Sequence, residues 1–427
     1  MRHHRPARVG AVFAVLLAAA GCRSLPAEHG DAARVALLVP ASERQVWEPL
    51  ALAFEARHPG THVELVEGPN STDLRDNLYT TALLAEDDTF DLVLMDVTWT
   101  PKYAAAGWLL PLERRFPRDE VDALWSAAVD VGRYRGHLYR LPTRTDVGVL
   151  FYRRDLLDEA GLAPPETFGD LVRLARELQR PPERWGFVWQ GSQYEGLICV
   201  FLEVLQGHGG FWIRPDTLDV GLDAPEALAA LEFLRRSRSE WNVSPPGVTT
   251  YKEEESRRLF QDGRAVLLRN WPYVWRLAQA ADSPLAGKVG VRSMVHESGG
   301  VSAGTLGGWG LGISRFSRRP DLAAAFIGFA ISLEGQRLLC ARSGYAPARR
   351  EAYEDPDLLA ANPFLADLQR LHDNAVARPA IARYAEVSDI LQRHLSAALA
   401  GLTSSDRALR AAARETRVML QSSGARP

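Results

Sequence analysis

Along the chain the spacing of apolar positions switches repeatedly between the period of a strand and that of a helix. Arg34 to Val39 (RVALLV) reads as a short buried strand. Behind Ser42-Glu43, the residues Trp47, Leu50, Leu52 and Phe54 fall at helical spacing. His62 to Val66 alternates as a second strand, Leu74 to Leu84 is helical, and Phe90 to Met95 (FDLVLM) is a buried strand. This βαβαβ rhythm predicts an α/β lobe built on a mostly parallel sheet. Val147 to Tyr152 reads as a further strand. Thr167-Phe-Gly-Asp170 spells a capping box that opens a helix over Leu171–Leu178. Pro320-Asp321 starts a long helix through Leu339, and from Arg378 the chain is helical almost to its end, apart from a break at Gly401–Ser405. At 427 residues the chain exceeds what one core usually supports, so two α/β lobes are the economical architecture.

The first residues follow a different pattern. Arg2, Arg5 and Arg8 precede an unbroken run of small and apolar residues from Val9 to Gly21. A bilayer span needs ~20 apolar residues, so this shorter run predicts a cleaved signal peptide over residues 1–21. It ends Ala19-Ala20-Gly21-Cys22, which resembles the bacterial lipoprotein box. That likeness implies lipidation of Cys22, hence an exported protein anchored on the outer side of the cell membrane. The alternative is ordinary signal cleavage with Cys22 incidental. Removing the three leader arginines takes the net charge from −3 to −6.

Composition narrows the function. With 46% hydrophobic and 24% charged residues the chain is neither disordered nor fibrous, and its net charge argues against a nucleic-acid binder. The ten His are scattered and no paired Cys or H-E-x-x-H spacing occurs, so neither metal nor cofactor is expected. Cys199 and Cys340 both sit in apolar runs. Export favours a bridge between them, burial favours free thiols, and the reading adopted is two buried free thiols.

Eight motifs carry a resemblance. They are Asp91-Leu-Val-Leu-Met-Asp96-Val-Thr-Trp99, Leu141-Pro-Thr-Arg-Thr-Asp146-Val-Gly148, Phe151-Tyr-Arg-Arg-Asp155-Leu-Leu157, Gly186-Phe-Val-Trp-Gln190-Gly-Ser-Gln-Tyr194-Glu-Gly196, Phe260-Gln-Asp-Gly263, Arg269-Asn-Trp271-Pro-Tyr273, Leu306-Gly-Gly-Trp309-Gly and Arg378-Pro379. In this order the chain resembles the extracellular sugar-binding proteins of ABC importers, most closely the trehalose/maltose-binding branch. The resemblance implies a two-lobe, hinged binding fold with a ligand cleft between the lobes. It places lobe 1 at residues 33–142 with 312–345, lobe 2 at 146–306 with 350–427, and hinges near 141–146, 306–313 and 344–350. It implies a monomeric, non-enzymatic carrier that hands an α-linked disaccharide to a membrane permease.

A neutral disaccharide offers vicinal hydroxyls and apolar ring faces, which carboxylates, arginine forks and indoles match. The resemblance carries hydroxyl-binding roles onto Glu43, Arg75, Asp96, Asp146 and Arg378. It carries stacking and edge contacts onto Trp271, Tyr273 and Trp309, with Gly308 allowing backbone close to the ligand. Tyr194, and beside it Glu195, would line the second lobe. Each has a plainer reading: Asp96 and Asp146 as turn caps, Trp271 and Trp309 as packed corners, Arg75 as a solvated charge, and Gln45 in place of Glu43. Arg144 departs from the family, whose members usually carry an aromatic there, and this opens an acidic or differently linked sugar.

A rival class is a secreted serine hydrolase, because Gly300-Val-Ser302-Ala-Gly304 spells G-x-S-x-G. That elbow needs a strand before it and a helix after it, whereas here it runs into Thr305-Leu-Gly-Gly. A glycosidase would need two flanking carboxylates, and nothing in the sequence marks one as the acid.

Overall fold

A computed structural model describes residues 33–372 and 374–422; the leader and Cys22 lie outside them. Thirteen strands follow along the described chain. They are β1 (Ala33–Pro40), β2 (Thr61–Gly68), β3 (Leu92–Asp96), β4 (Arg133–Tyr134), β5 (His137–Leu138), β6 (Leu141–Val147), β7 (Val149–Arg153), β8 (Trp185–Val188), β9 (Ala265–Asn270), β10 (Val289–Arg292), β11 (Gly304–Ile313), β12 (Ala346–Pro347) and β13 (Ala375–Val376). Two sheets organise them. The larger runs β12-β6-β11-β3-β1-β2, with β13 against the start of β11; the smaller runs β10-β7-β9-β8. β4 and β5 form a separate hairpin.

The opening βαβαβ unit forms as expected, with β2 and β3 both parallel to β1. The expectation of a mostly parallel sheet needs correction. β11 lies antiparallel to β3 and to β6, and β12 lies antiparallel to β6. β11 follows β10, the edge strand beside β7 in the smaller sheet.

The helix Arg44–Arg57 buries Trp47, Leu50, Ala51 and Phe54, and Phe54 meets Phe326 edge-on. Leu52, expected on that face, is 60% exposed. At 3.6 residues per turn it falls ~140° round from Trp47. The helix Thr72–Leu84 packs Tyr79 and Leu83 with Trp99 and Tyr103 in a second cluster. Tyr79 locks that cluster by donating its hydroxyl to Leu38 O at 3.0 Å and accepting from Leu94 N at 3.1 Å.

Three other expectations shift. The helix from Pro320 ends at Ile331 and a second runs Leu333–Ser343, bent by 69° at Ser332. Ser332 is extended and its hydroxyl accepts Gly335 N at 3.1 Å, so it caps a new helix instead of continuing the old one. The C-terminal helix starts at Tyr384, six residues after Arg378, and a second covers Ser405–Ser422 beyond the expected break. The capping box forms as read, with Thr167 and Asp170 exchanging bonds at the start of Phe168–Leu178.

The strand read over Val147–Tyr152 is two strands divided at Gly148. Val147 pairs with Leu306 in the larger sheet, whereas Val149 pairs with Asn270 in the smaller one. Gly148 therefore carries the chain from one sheet to the other. A Cβ here would lie 1.7 Å from Glu203 Oε1, so only glycine fits. Glu203, on the helix Glu195–Gly207, is fully buried; its carboxylate accepts both Arg269 Nε, at 2.7 Å, and Arg269 Nη2, and it also accepts Thr305 N at 3.1 Å. One ion pair thus sits under both connecting strands. Further along, Arg350–Tyr353, Pro356–Ala361 and Leu365–His372 pack beside Leu333–Ser343 and β6, whereas Tyr384–Leu399 packs on Glu195–Gly207. Among the described residues no single helix is long and apolar enough to cross a membrane.

Removing one member of a buried ion pair leaves its partner's charge uncompensated, at a cost of ~3–5 kcal/mol. Glu203→Ala should lose about that much stability in urea unfolding; a loss below ~1 kcal/mol would show that the junction does not depend on the pair.

Candidate ligand-binding cleft

A cleft of about 730 Å³ opens between the two sheets. Its floor is the end of the larger sheet, where strand order sets neighbours: β12, then Arg144 and Asp146 on β6, then Gly308 and Trp309 on β11, then Asp96 on β3. Tyr194, Glu195, Trp271 and Tyr273 line it from the smaller sheet's side, and Glu43, Arg75 and Arg378 complete it. All twelve of these residues, each singled out from the sequence, border this one cavity. Tyr345, Cys199 and the run Lys252–Glu255 border it too and carry no sequence motif of their own.

Backbone geometry holds the floor. Gly308 adopts φ +123°, and a Cβ there would lie 2.7 Å from Arg144 O, so the strands close tightly only with glycine. The register of β11 on β6 shifts between Trp309 and Gly310, a bulge at the site itself. Trp309 meets Trp99 edge-on and has the Arg75 guanidinium 4.5 Å over its ring. Arg75 is buried, not the solvated surface charge of the plainer reading, and donates to Pro69 O and Asn70 O, both at 2.8 Å. Trp271 is backed in the same way by Arg269, 4.3 Å over its ring, and Tyr273 donates to Glu254 Oε1 at 2.9 Å. Each indole thus has a guanidinium over one face.

Two arginines organise the carboxylates. Arg378 donates to Asp96 Oδ1 at 2.9 Å and to Glu195 Oε1 at 2.7 Å, joining β3 to the helix Glu195–Gly207. Glu195 is completed by the hydroxyls of Ser388 (2.6 Å) and Tyr384. Asp96 also takes Thr98 N and Oγ1 at 3.0 and 2.9 Å, all on Oδ1. It is a turn cap and a cleft wall at once. Arg144 grips both oxygens of Glu43 at 2.8 and 2.9 Å, and its Nε lies 3.8 Å from Asp146 Oδ2.

Electrostatics separate the carboxylates. Burial pushes the Glu43 carboxyl up, but the charge and hydrogen bonds of Arg144 outweigh it and hold the group below its ordinary value. Asp146 accepts no hydrogen bond from the described residues. Burial drives its carboxyl up against the pull of Arg144, and Glu43 and Asp96 add to the rise, leaving it at about 7. Asp73, nearby on Thr72–Leu84, is pushed up to about 6 by burial, with Glu195, Asp76 and Asp96 adding to the rise. Seven carboxylates line the cleft against five cations, so it disfavours an anion.

The alternatives lose their geometry. Ser302 donates its hydroxyl to Met294 O in a loop that runs into strand β11, so the G-x-S-x-G motif forms no strand-to-helix elbow. Cys199 and Cys340 are buried and unpaired, with burial pushing the Cys199 thiol up to about 12.

Residues 40–337 match the family described as bacterial extracellular solute-binding protein. The chain belongs to that family. A probable ABC transporter-binding protein of Deinococcus radiodurans is 36% identical, over 78% of this chain and 81% of that one. A mannitol-binding protein of Pseudomonas aeruginosa is 27% identical, over 93% and 95%. Among solved structures, maltose-bound MalE3 of T. maritima shares 37% identity with a TM-score of 0.87, covering 91% of this chain and all of that one. The family member is an exported carrier of the kind that serves ABC transporters, with a two-lobe fold, and is not an enzyme.

Asp146 generates a pH dependence. Its folded-state value lies above the ordinary 3.8, so the stability it contributes is present below about pH 4 and is lost as pH rises through about 7. Asp146→Asn should therefore raise stability relative to the parent at pH 8, on the order of 4 kcal/mol, with little difference at pH 4. Urea titrations at both pH values check this; a difference that does not change with pH would refute it.

Proposed function

We propose that the cleft captures a neutral α-linked disaccharide, such as maltose or trehalose, for delivery to the permease of an ABC sugar importer. The observation that carries this reading is the convergence of Asp146, Asp96 and Arg378 with the indoles of Trp271 and Trp309 on one cleft. Carboxylates and arginines satisfy paired hydroxyls, and the indoles cover C–H ring faces. The Deinococcus relative and the maltose-bound T. maritima protein are consistent with it. The acidic-sugar reading is disfavoured because Arg144 is already matched by Glu43 and flanked by Asp146.

The lobes of the proposal differ from those the resemblance implied: residues 350–372 move from the second lobe to the first because they pack beside Leu333–Ser343 and β6, giving 33–147 with 304–372, and 148–303 with 384–422. Sugar bridging both lobes shifts the population toward a closed state that docks on the permease. The mature protein is proposed to act as a monomer, anchored by lipid at Cys22.

Protein from residue 23 onward, tested by thermal shift and calorimetry, should respond to maltose or trehalose with a dissociation constant near ~1 µM, about −8 kcal/mol. Mannitol and glucuronate serve as the polyol and acidic comparators. Asp96→Ala should weaken binding by on the order of 2–3 kcal/mol, and Trp309→Ala should weaken every ring-stacking sugar. A response to mannitol or glucuronate alone, or unchanged affinity in both variants, would contradict the assignment.

A further inference from the structure

We infer that Arg144, clamped by Glu43 and stacked on Tyr345, blocks the β12 end of the cleft and limits the ligand to two sugar rings. The inference rests on the sugar-binding reading above and names the length class of the substrate.

Strand order lays the floor out as a line. Tyr345 stands just before β12, Arg144 and Asp146 on β6, Trp309 on β11 and Asp96 on β3, with Arg378 and Glu195 beyond. Adjacent strands are ~4.8 Å apart, so β12 to β3 covers ~14 Å and β6 to β3 only ~10 Å. The first of these steps is filled by protein. The Arg144 guanidinium centre lies 3.8 Å over the Tyr345 ring, which removes that aromatic face from any sugar. Both Arg144 Nη atoms are spent on Glu43, and Trp47 Nε1 adds a long contact to the same carboxylate at 3.4 Å. Glu43, expected to hold hydroxyls, is thus turned onto Arg144 and acts as its positioning residue. With 7% and 15% of their side chains exposed, the pair is packed in place and does not swing freely. Asp146 is the first carboxylate along the line that accepts no hydrogen bond from the described protein, and from it the floor continues past Trp309, whose ring centre lies 5.7 Å from the Arg144 guanidinium and 4.5 Å from that of Arg75, to Asp96. A third ring would have to displace a buried, doubly hydrogen-bonded guanidinium.

Calorimetry with maltose and maltotriose, on the wild type and two variants, tests this. Arg144→Ala uncovers Tyr345 but leaves Glu43 buried without its partner; Arg144→Ala with Glu43→Gln uncovers the same face without that charge. Thermal melts without sugar report whether each variant is folded. The wild type should prefer maltose, and the double variant should shift the maltotriose-to-maltose affinity ratio at least tenfold toward maltotriose. An unchanged ratio in a folded double variant that still binds maltose would overturn the end block alone, as would a wild type that already prefers maltotriose. An equal loss for both sugars would show Arg144 to be an ordinary ligand contact and also overturn it. Silence of the wild type toward both sugars would overturn the sugar-binding reading beneath it.

Discussion

One guanidinium, that of Arg378, ties this protein's two halves together at the site. It reaches Asp96 at the end of β3 and Glu195 at the start of a helix that packs with the other sheet. A buried charge of this kind needs an opposite charge close by, and each acid has further donors: Thr98 for Asp96, Ser388 and Tyr384 for Glu195. The same logic recurs where Arg269 meets Glu203 beneath Gly148 and Thr305. Both places where the chain changes sheet near the cleft are therefore polar, buried and ion-paired.

These pairs also shape the apolar parts of the cleft. Arg269 supports the Trp271 ring, Arg75 supports Trp309, and Arg144 covers Tyr345. A platform that rests on a cation keeps its orientation without a ligand, which lowers the ordering cost when a sugar ring arrives. Beside Glu43, Asp96 and Glu195, which all accept hydrogen bonds, Asp146 stands out. It is half-buried, faces the cleft and takes no hydrogen bond from the described protein, so its carboxyl holds a proton until about pH 7.

Much of this was legible in the residues. The opening strands and helices followed from periodicity, because apolar spacing reflects which face is buried. Most cleft residues followed from motifs between Asp91 and Pro379, with Glu43 and Arg75 added by the resemblance, and strand order then brings them side by side. What periodicity missed were features set by tertiary geometry. The break at Gly148 is invisible because Val147 and Val149 both point into cores and read as one strand. The bend at Ser332 depends on one hydroxyl finding Gly335 N within an otherwise continuous apolar helix. The antiparallel entry of β11 depends on where a strand comes from, which local pattern does not encode. Tyr345 escaped notice because a single aromatic after a helix end has no pattern; only its place under Arg144 marks it.

The central claim is that sugar hydroxyls become the missing hydrogen-bond donors of Asp146. Donors to a carboxylate stabilise its charged form, so a ligand that uses it must lower its proton affinity. Calorimetry with maltose or trehalose at pH 7, in two buffers of different ionisation enthalpy, reads that proton directly. The account predicts release of roughly half a proton per sugar bound, lost in Asp146→Asn. Binding heats that are identical in both buffers, or proton uptake, would contradict it.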